Sequence, residues 1–536
     1  MLLMYTLLSA LAAMAALLSC RAFSQTPSAA DIIEKRVPEP PSVGTRPLPV
    51  GIEMAAPAPF PSVTRVRDGR LMMIGSGKVA YSSDNGKTWS AAEKLSAPVD
   101  YVIALQSGAI GGPVPEKPAS TAAVAQGDMF FYASSDDGKT WERRGKISVA
   151  REAGWPYPKT MIQMRSGRLV LPVRFTDGAG HMGLYDASRS WGTLNGKLVP
   201  VEGHSHWPEP DIAFAYFSDD EGRTWKRSEG GIMVWHKEGY GGMWPCDEPS
   251  IVETKNAHLL MFCRTSLGRI YTAHSGPSEQ WKPDGGVVRF TAGERFDLPQ
   301  PTPLASSYSP PTVSRIPKTG DILAVWNQVS GDEIRAGYRR GRLSSAISKD
   351  DGKTWQHFRT LDTAVLPPAG RVEPDPEPQM VRGLDYIGVL PLDYGGVDYA
   401  TVSYVDDTVF VYFKRSLVNP RPGDVSGARL RVLPLSWFYG EEPAPKPGPK
   451  LVLRVPNGNR HQEFEIDARF HEDRFFVHSR DVGRYLRGAA GRLDKNLYGP
   501  VHQIITMLGW TPAYDRSRLQ DPANPRLIVT TTPPQH

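Results

Sequence analysis

One octapeptide recurs along the chain and limits what it can fold into more than any other feature. Residues 82–89 read SSDNGKTW, 134–141 SSDDGKTW, 218–225 SDDEGRTW and 348–355 SKDDGKTW, and a fifth, degenerate copy is read at 275–281, SGPSEQW. The residue types have a physical reason. Ser and Asp side chains bond nearby backbone amides and hold a tight turn. Gly at the fifth position permits positive φ, and Trp at the eighth starts the next strand and covers the turn with a large ring. The motif is a hairpin staple, and its reading is structural rather than catalytic.

A looser repeat precedes the boxes, a short turn followed by an apolar strand. It occurs at 66–75 (VRDGRLMMIG), 105–112, 164–173, 254–263, 317–326 and 404–413. Six such units without long helical periodicity predict an all-β chain. Radial repetition of small antiparallel sheets is a β-propeller, so a six-bladed propeller is expected over 55–440, with 428–439 as a closing strand for the first blade. The Pro-rich 441–450 reads as a stiff linker. Residues 451–536 read as a small α+β accessory module with short amphipathic helices at 477–488 and 499–510.

The chain of 536 residues is long enough for one repeat-built domain plus a smaller one. Its 62 basic residues are nearly matched by 57 acidic ones, without a basic run. That argues against a nucleic-acid partner, while the net charge of +5 suits an anionic substrate. Residues 7–18 form an apolar run too short to span a bilayer comfortably. It reads as the core of a signal peptide, 1–24, or of a lipoprotein signal, 1–19, with Cys20 as the lipidated residue. Either reading exports the protein, to the periplasm, the outer membrane or the medium, and a lipid anchor is the only membrane attachment expected. A Pro-rich lead-in occupies 25–54. Of three cysteines, Cys246 and Cys263 remain in the body of the chain, as a disulfide or as two buried thiols. His204 and His206, at i and i+2 in a loop, do not make a metal site, so neither metal nor cofactor is expected.

Four S-x-D-x-G-x-T-W boxes on six β units resemble the sialidase (neuraminidase) superfamily over 55–439. The resemblance implies a propeller that acts on glycans. It implies arginines clamping the substrate carboxylate, a tyrosine nucleophile activated by a glutamate, and an aspartate acid/base; sialidases are the tyrosine exception among glycosidases. Carried over residue by residue, Glu248 and Arg264 in CDEPSIVETKNAHLLMFCR match the glutamate and second arginine, with Arg269 as an alternate. Arg340 matches the third arginine, with Arg342 as its alternate. Tyr399 matches the nucleophile, with Tyr394 and Tyr404 as neighbours open to confusion with it. The first arginine falls on Pro59-Phe60-Pro61 and is missing. Residues 75–81 are too short for the aspartate's loop, so Glu152, Asp211 and Asp247 are candidates for the acid. The expected function is an exo-acting glycosidase on an anionic terminal sugar, working as a monomer. A glycosidase of other specificity and a non-catalytic glycan-binding protein are the alternatives.

Overall fold

The computed structural model describes most of residues 51–534. Outside the described residues lie 1–50, 117–127, 150–158, 177–190, 195–196, 201–210, 237–241, 331–339 apart from Glu333, 365–369, 375–394, 418–424, 441–448, 487–497 and isolated further positions. The signal segment, Cys20, His204, His206, Tyr394 and Glu152 therefore fall outside them, as does most of the proline-rich linker.

The protein is all-β in its main body. Six four-stranded antiparallel sheets succeed one another between residues 52 and 434. The second strand of each follows one of the six turn-plus-apolar repeats: Leu71–Gly75, Ile110–Pro115, Leu169–Thr176, Leu259–Arg264, Ile322–Trp326 and Thr408–Leu417. Their apolar runs are continuous rather than alternating because both faces are covered; every residue of Leu71–Gly75 and of Ile322–Trp326 is buried. The core lies between neighbouring sheets. Val170 and Ala215 of the third pack with Met261 and Cys263 of the fourth, and Leu323 and Val325 of the fifth with Val411 and Phe413 of the sixth.

The octapeptide forms the same Ser-Asp-Gly-Thr cage in all four copies, and in the first three the tryptophan ring closes it. The Gly86 amide donates to Ser82 Oγ (2.8 Å), the Thr88 amide and hydroxyl to the two Asp84 oxygens (2.9 and 2.6 Å), and Trp89 Nε1 to the Gly86 carbonyl (3.2 Å). These bonds hold the Asp84 carboxyl down at about 2, and the matching Thr140 bonds do the same for Asp136. Each boxed glycine also lets its turn lie flat on the preceding sheet. A Cβ on Gly222, in the third sheet, would meet the ring of Phe131 in the second at 2.1 Å. Gly352 rests on Phe262 of the fourth sheet, Gly138 on Met72 of the first, and Gly86, in the first sheet, on Phe410 of the sixth.

The degenerate fifth copy is not a box. Trp281 is 72% exposed, on a hairpin of strands Ser278–Trp281 and Val287–Phe290 inserted after Ser275. The cage closes beyond the insertion: the Gly293 amide donates to Ser275 Oγ (2.8 Å), Gly293 rests on Val170 of the third sheet, and the buried ring is Phe296. The inserted hairpin splits the motif and hides it from an unbroken pattern.

Hydrogen bonds join successive sheets near their first strands. The Val102 amide donates to Ser62 Oγ (2.9 Å), Gln106 to Gln163 (2.7 Å), Arg165 to Glu253 (2.9 Å) and Val313 to Ser250 Oγ (3.0 Å). Thr312 Oγ1 donates to the Ala400 carbonyl. From the sixth sheet to the first, the Val63 amide donates to Ser403 Oγ (2.9 Å).

The closing strand differs from the expectation. Gly427–Pro434 stays in the sixth sheet, and the end of the lead-in, Ile52–Ala55, is the fourth strand beside it. Glu53 explains the choice: its carboxylate is gripped by Arg415 (2.8 Å), Arg429 (3.0 Å) and Arg431. Burial alone would raise Glu53, but the hydrogen bonds and charges of Arg415 and Arg431 outweigh it and hold the carboxyl at about 2.

The C-terminal residues form a separate α+β unit. Lys450–Asn457 pairs antiparallel with Arg460–Ile466 and parallel with Arg526–Thr532, and a three-stranded sheet and two short helices complete it. The anticipated helices are shorter than their patterns, Ser479–Gly483 and Val501–Met507, because each pattern begins on a strand. No helix among the described residues is long and apolar enough to cross a membrane.

Candidate functional site

Two first strands break their pairing at the same kind of place. In the fourth sheet, Asp247 pairs with Arg264 and the register shifts before Ser250. The residue after Asp247 is Glu248, at φ +37°, and Pro249, lacking an amide hydrogen, cannot restore the ladder. In the sixth sheet, Asp398 pairs with Lys414 and the register shifts before Thr401; the residue after Asp398 is Tyr399, at φ +56°. A β-bulge re-aims a side chain, and left-handed backbone at bulky residues carries strain that concentrates at functional sites. Glu248 and Tyr399 thus occupy matching bulges in sheets separated by one other. The first strand between them, Thr312–Arg315, bonds to Ser250 on one side and to the carbonyl of Ala400 on the other.

Around Glu248 the charges are closely paired. Arg264, 2% exposed, bonds Glu248 Oε2 and lies 3.6 Å from Asp247 Oδ2. Asp247, fully buried, accepts from the Glu248 amide (2.6 Å) and from Arg174 Nη1 (3.0 Å). Asp247, a candidate acid in the sequence, is thus a buried carboxylate between two guanidiniums. Arg174 was missed by sequence reading, yet a signal was present. LVLPVR at 169–174 and LLMFCR at 259–264 place an arginine at the same step of equivalent strands.

Around Tyr399 the neighbours are aromatic and cationic. Phe60 stands edge-on to its ring at 6.2 Å. Arg340 lies 5.2 Å from the ring centre and pairs with Asp398 (2.9 Å). Lys414 Nζ lies 5.4 Å from the Tyr399 ring centre and 4.5 Å from that of Phe60. Phe60 itself has φ +49° and directly follows Pro59, the position where the resemblance expects the first arginine.

The other anticipated residues lie elsewhere. Arg342 is fully buried, paired with Glu333 (2.8 Å) and donating to the Gln328 carbonyl (3.0 Å). Arg269 is half-buried at the start of Arg269–Ser275. Tyr404 hydrogen-bonds Ser314 (2.7 Å), and burial pushes its phenol up. Asp211 begins strand Asp211–Ser218; its side chain lies outside the described residues. Cys246 and Cys263 are both buried free thiols; of the two readings, the structure takes the thiols over the disulfide. Burial and the neighbouring Cys263 push the Cys246 thiol up. No group of three metal-ligating side chains forms among the described residues.

One further cation was not anticipated. Lys159, at φ +60° just before the third sheet, reaches the Val402 carbonyl and Ser403 Oγ of the sixth. Burial lowers its amine to about 7.

The sequence profile of the BNR repeat-like domain matches residues 117–411, and that of the BNR/Asp-box repeat matches 80–91. Among solved structures, the chain is similar to a protein of unknown function from Dyadobacter fermentans DSM 18053, at 16% identity and a TM-score of 0.42, covering 72% of this chain and 98% of that one. It is similar to the NanB sialidase from Streptococcus pneumoniae at 12% identity and a TM-score of 0.39, covering 70% and 68%. The α-L-arabinanase of Penicillium chrysogenum in complex with arabinobiose matches at 14% identity and a TM-score of 0.38, covering 74% and 99%. No protein of curated function matches the chain.

Proposed function

We propose, from the premise that this chain belongs to the BNR repeat-like family, that it is a glycan-acting hydrolase releasing an anionic terminal sugar. The observation that carries this reading is the paired bulge: Tyr399 flanked by Arg340 and Lys414, and Glu248 held by Arg264, at matching places two sheets apart. The scaffold is a closed six-bladed propeller. Support for closure comes from the Val63–Ser403 bond and the seat of Gly86 on Phe410, both of which join the first sheet to the sixth. In a closed ring the third and sixth sheets stand opposite, and Lys159 is then a strut across the axis.

In the mechanism, Tyr399 Oη attacks the anomeric carbon as the bond to the leaving oxygen breaks and that oxygen takes a proton from a general acid other than the residues named here. This gives a glycosyl-tyrosine that water hydrolyses, returning a proton to that acid's conjugate base. Glu248 takes the phenolic proton, and Arg340 and Arg264 contribute positive charge at the sugar's anionic group. A phenol suits this substrate because a carboxylate nucleophile would be repelled by it. The protein is exported, into the periplasm, onto the outer membrane or into the medium, and acts there as a monomer. A non-catalytic glycan-binding role is the second reading. It is favoured by Pro59 at the place of the first arginine and by the engagement of Glu248 with Arg264. Incubating the protein with glycans capped by sialic acid, uronate or neutral sugars separates the readings. Release of the acidic monosaccharide supports hydrolysis; binding to capped glycans with no sugar released from any of them overturns it.

A further inference from the structure

The repeat places Lys414 at the sixth-sheet counterpart of Arg264. Each lies five residues beyond the first buried aliphatic residue of its strand, Val409 and Leu259, and each pairs across the ladder with the aspartate preceding the bulge, Asp398 and Asp247. The outcomes differ. In the fourth sheet the bulge residue is itself a carboxylate, and Arg264 is engaged by Glu248. In the sixth sheet the bulge residue is Tyr399, and Asp398 is drawn away to Arg340. Lys414 keeps only the faces of Phe60 and Tyr399. The half-buried ammonium has no carboxylate or hydrogen-bond acceptor among the described residues. A partly desolvated cation without a counter-ion is costly unless a ligand completes it.

We infer that Lys414 recognises the anionic group of the substrate, supplying from the second strand of the sixth sheet the charge that Pro59, at the place of the first arginine, does not carry. The ligand group it fits is a carboxylate on the sugar. Lys is a compact point charge with three donors, where an arginine fork would present a planar bidentate pair. Phe60 then acts as a wall: its face lies against the Lys414 ammonium and it stands edge-on to Tyr399, so the ammonium is flanked by aromatic rings. Lys414 is thereby a specificity-determining residue, and the inference rests on the glycan-acting reading above.

The test is calorimetric binding of the methyl α-glycoside of N-acetylneuraminic acid and of its carboxylate methyl ester to the full chain. Wild type, Lys414→Gln and Lys414→Arg are compared, with circular dichroism confirming that each variant folds. Wild type is expected to favour the free carboxylate by roughly ten-fold or more, the scale of one charge-assisted hydrogen bond. K414Q is expected to bring the two ligands within about two-fold, and K414R to keep most of the preference. A folded K414Q that keeps the full preference overturns the role of Lys414 and leaves the glycan-acting reading standing. A wild-type protein that does not distinguish acid from ester overturns both, and that result is visible before any variant is made.

Discussion

Arg264 grips Glu248 with the same guanidinium nitrogen that lies 3.6 Å from Asp247, so one buried cation holds two adjacent carboxylates. Replacing it with methionine keeps the volume and leaves Glu248 without its partner. Breaking a buried pair on one side costs roughly 3–5 kcal/mol, so Arg264→Met is expected to lower the unfolding free energy from a urea titration by that amount. An unfolding free energy within about 1 kcal/mol of wild type, an exposed pair's scale, contradicts the burial of this pair.

Gly222 tests the seating of one sheet on the next. Its φ of +87° and the 2.1 Å approach of a Cβ to Phe131 act together. Overpacking costs about 1–3 kcal/mol and left-handed backbone about 1–2 more for a residue with a side chain. Gly222→Ala should therefore destabilise by at least about 2 kcal/mol. Gly69→Ala has nothing within 4 Å of its Cβ and shares only the backbone cost, so it should be the milder change in a parallel urea titration.

Glu53 gives the fold a defined acid limit. Its carboxyl sits at about 2 against an ordinary 4.5. Its contribution is present in full above about 4.5 and is lost as pH falls toward 2. Asp84 and Asp136 titrate in the same direction from an ordinary 3.8 to about 2. Melting temperature should fall steeply across this window. Glu53→Gln should reproduce part of the loss at neutral pH and flatten the acid dependence; an unchanged acid profile in the variant argues against the clamp.

Lys159 acts at the other end of the pH scale. Its amine is lowered from 10.5 to about 7. Between those values the unfolded chain holds the proton that the folded chain has released. Its contribution to stability therefore rises with pH from about 7 toward 10.5 and is constant below 7. Lys159→Met removes that slope. Parallel stability curves for wild type and variant between pH 7 and 9.5 would show that the amine is not buried as described.

The sheets were legible because the repeat carries their chemistry on its surface: turn residues, a run of aliphatics, then the caged Asp and Trp. All six second strands lie where those runs predict. The degenerate fifth copy was placed on Trp281 because the hairpin 278–290 separates its serine from its glycine, and a pattern read by adjacency cannot bridge an insertion. The strand Ile52–Ala55 was taken for lead-in because four residues without a turn signal look like linker; its partners lie more than 370 residues away. In the candidate site, Glu248, Arg264, Arg340 and Tyr399 were carried over from the family resemblance, on motifs that stand at recognisable places in the repeat. Arg174 and Lys414 were not, although LVLPVR, LLMFCR and VFVYFK place a cation at the same step of equivalent strands, because the resemblance names no residue there. The burial of Arg342 was not legible, because a buried arginine and an exposed one look alike in a basic stretch.

Hydrolysis through Tyr399 is tested most directly by Tyr399→Phe assayed on whichever capped glycan the wild-type protein cleaves. The ring and its contacts with Phe60, Arg340 and Lys414 survive that change, and only the hydroxyl is lost. The account predicts a fall in kcat of at least about a hundred-fold with glycan binding retained, in keeping with the loss of a covalent route. Full turnover by the phenylalanine variant would contradict it.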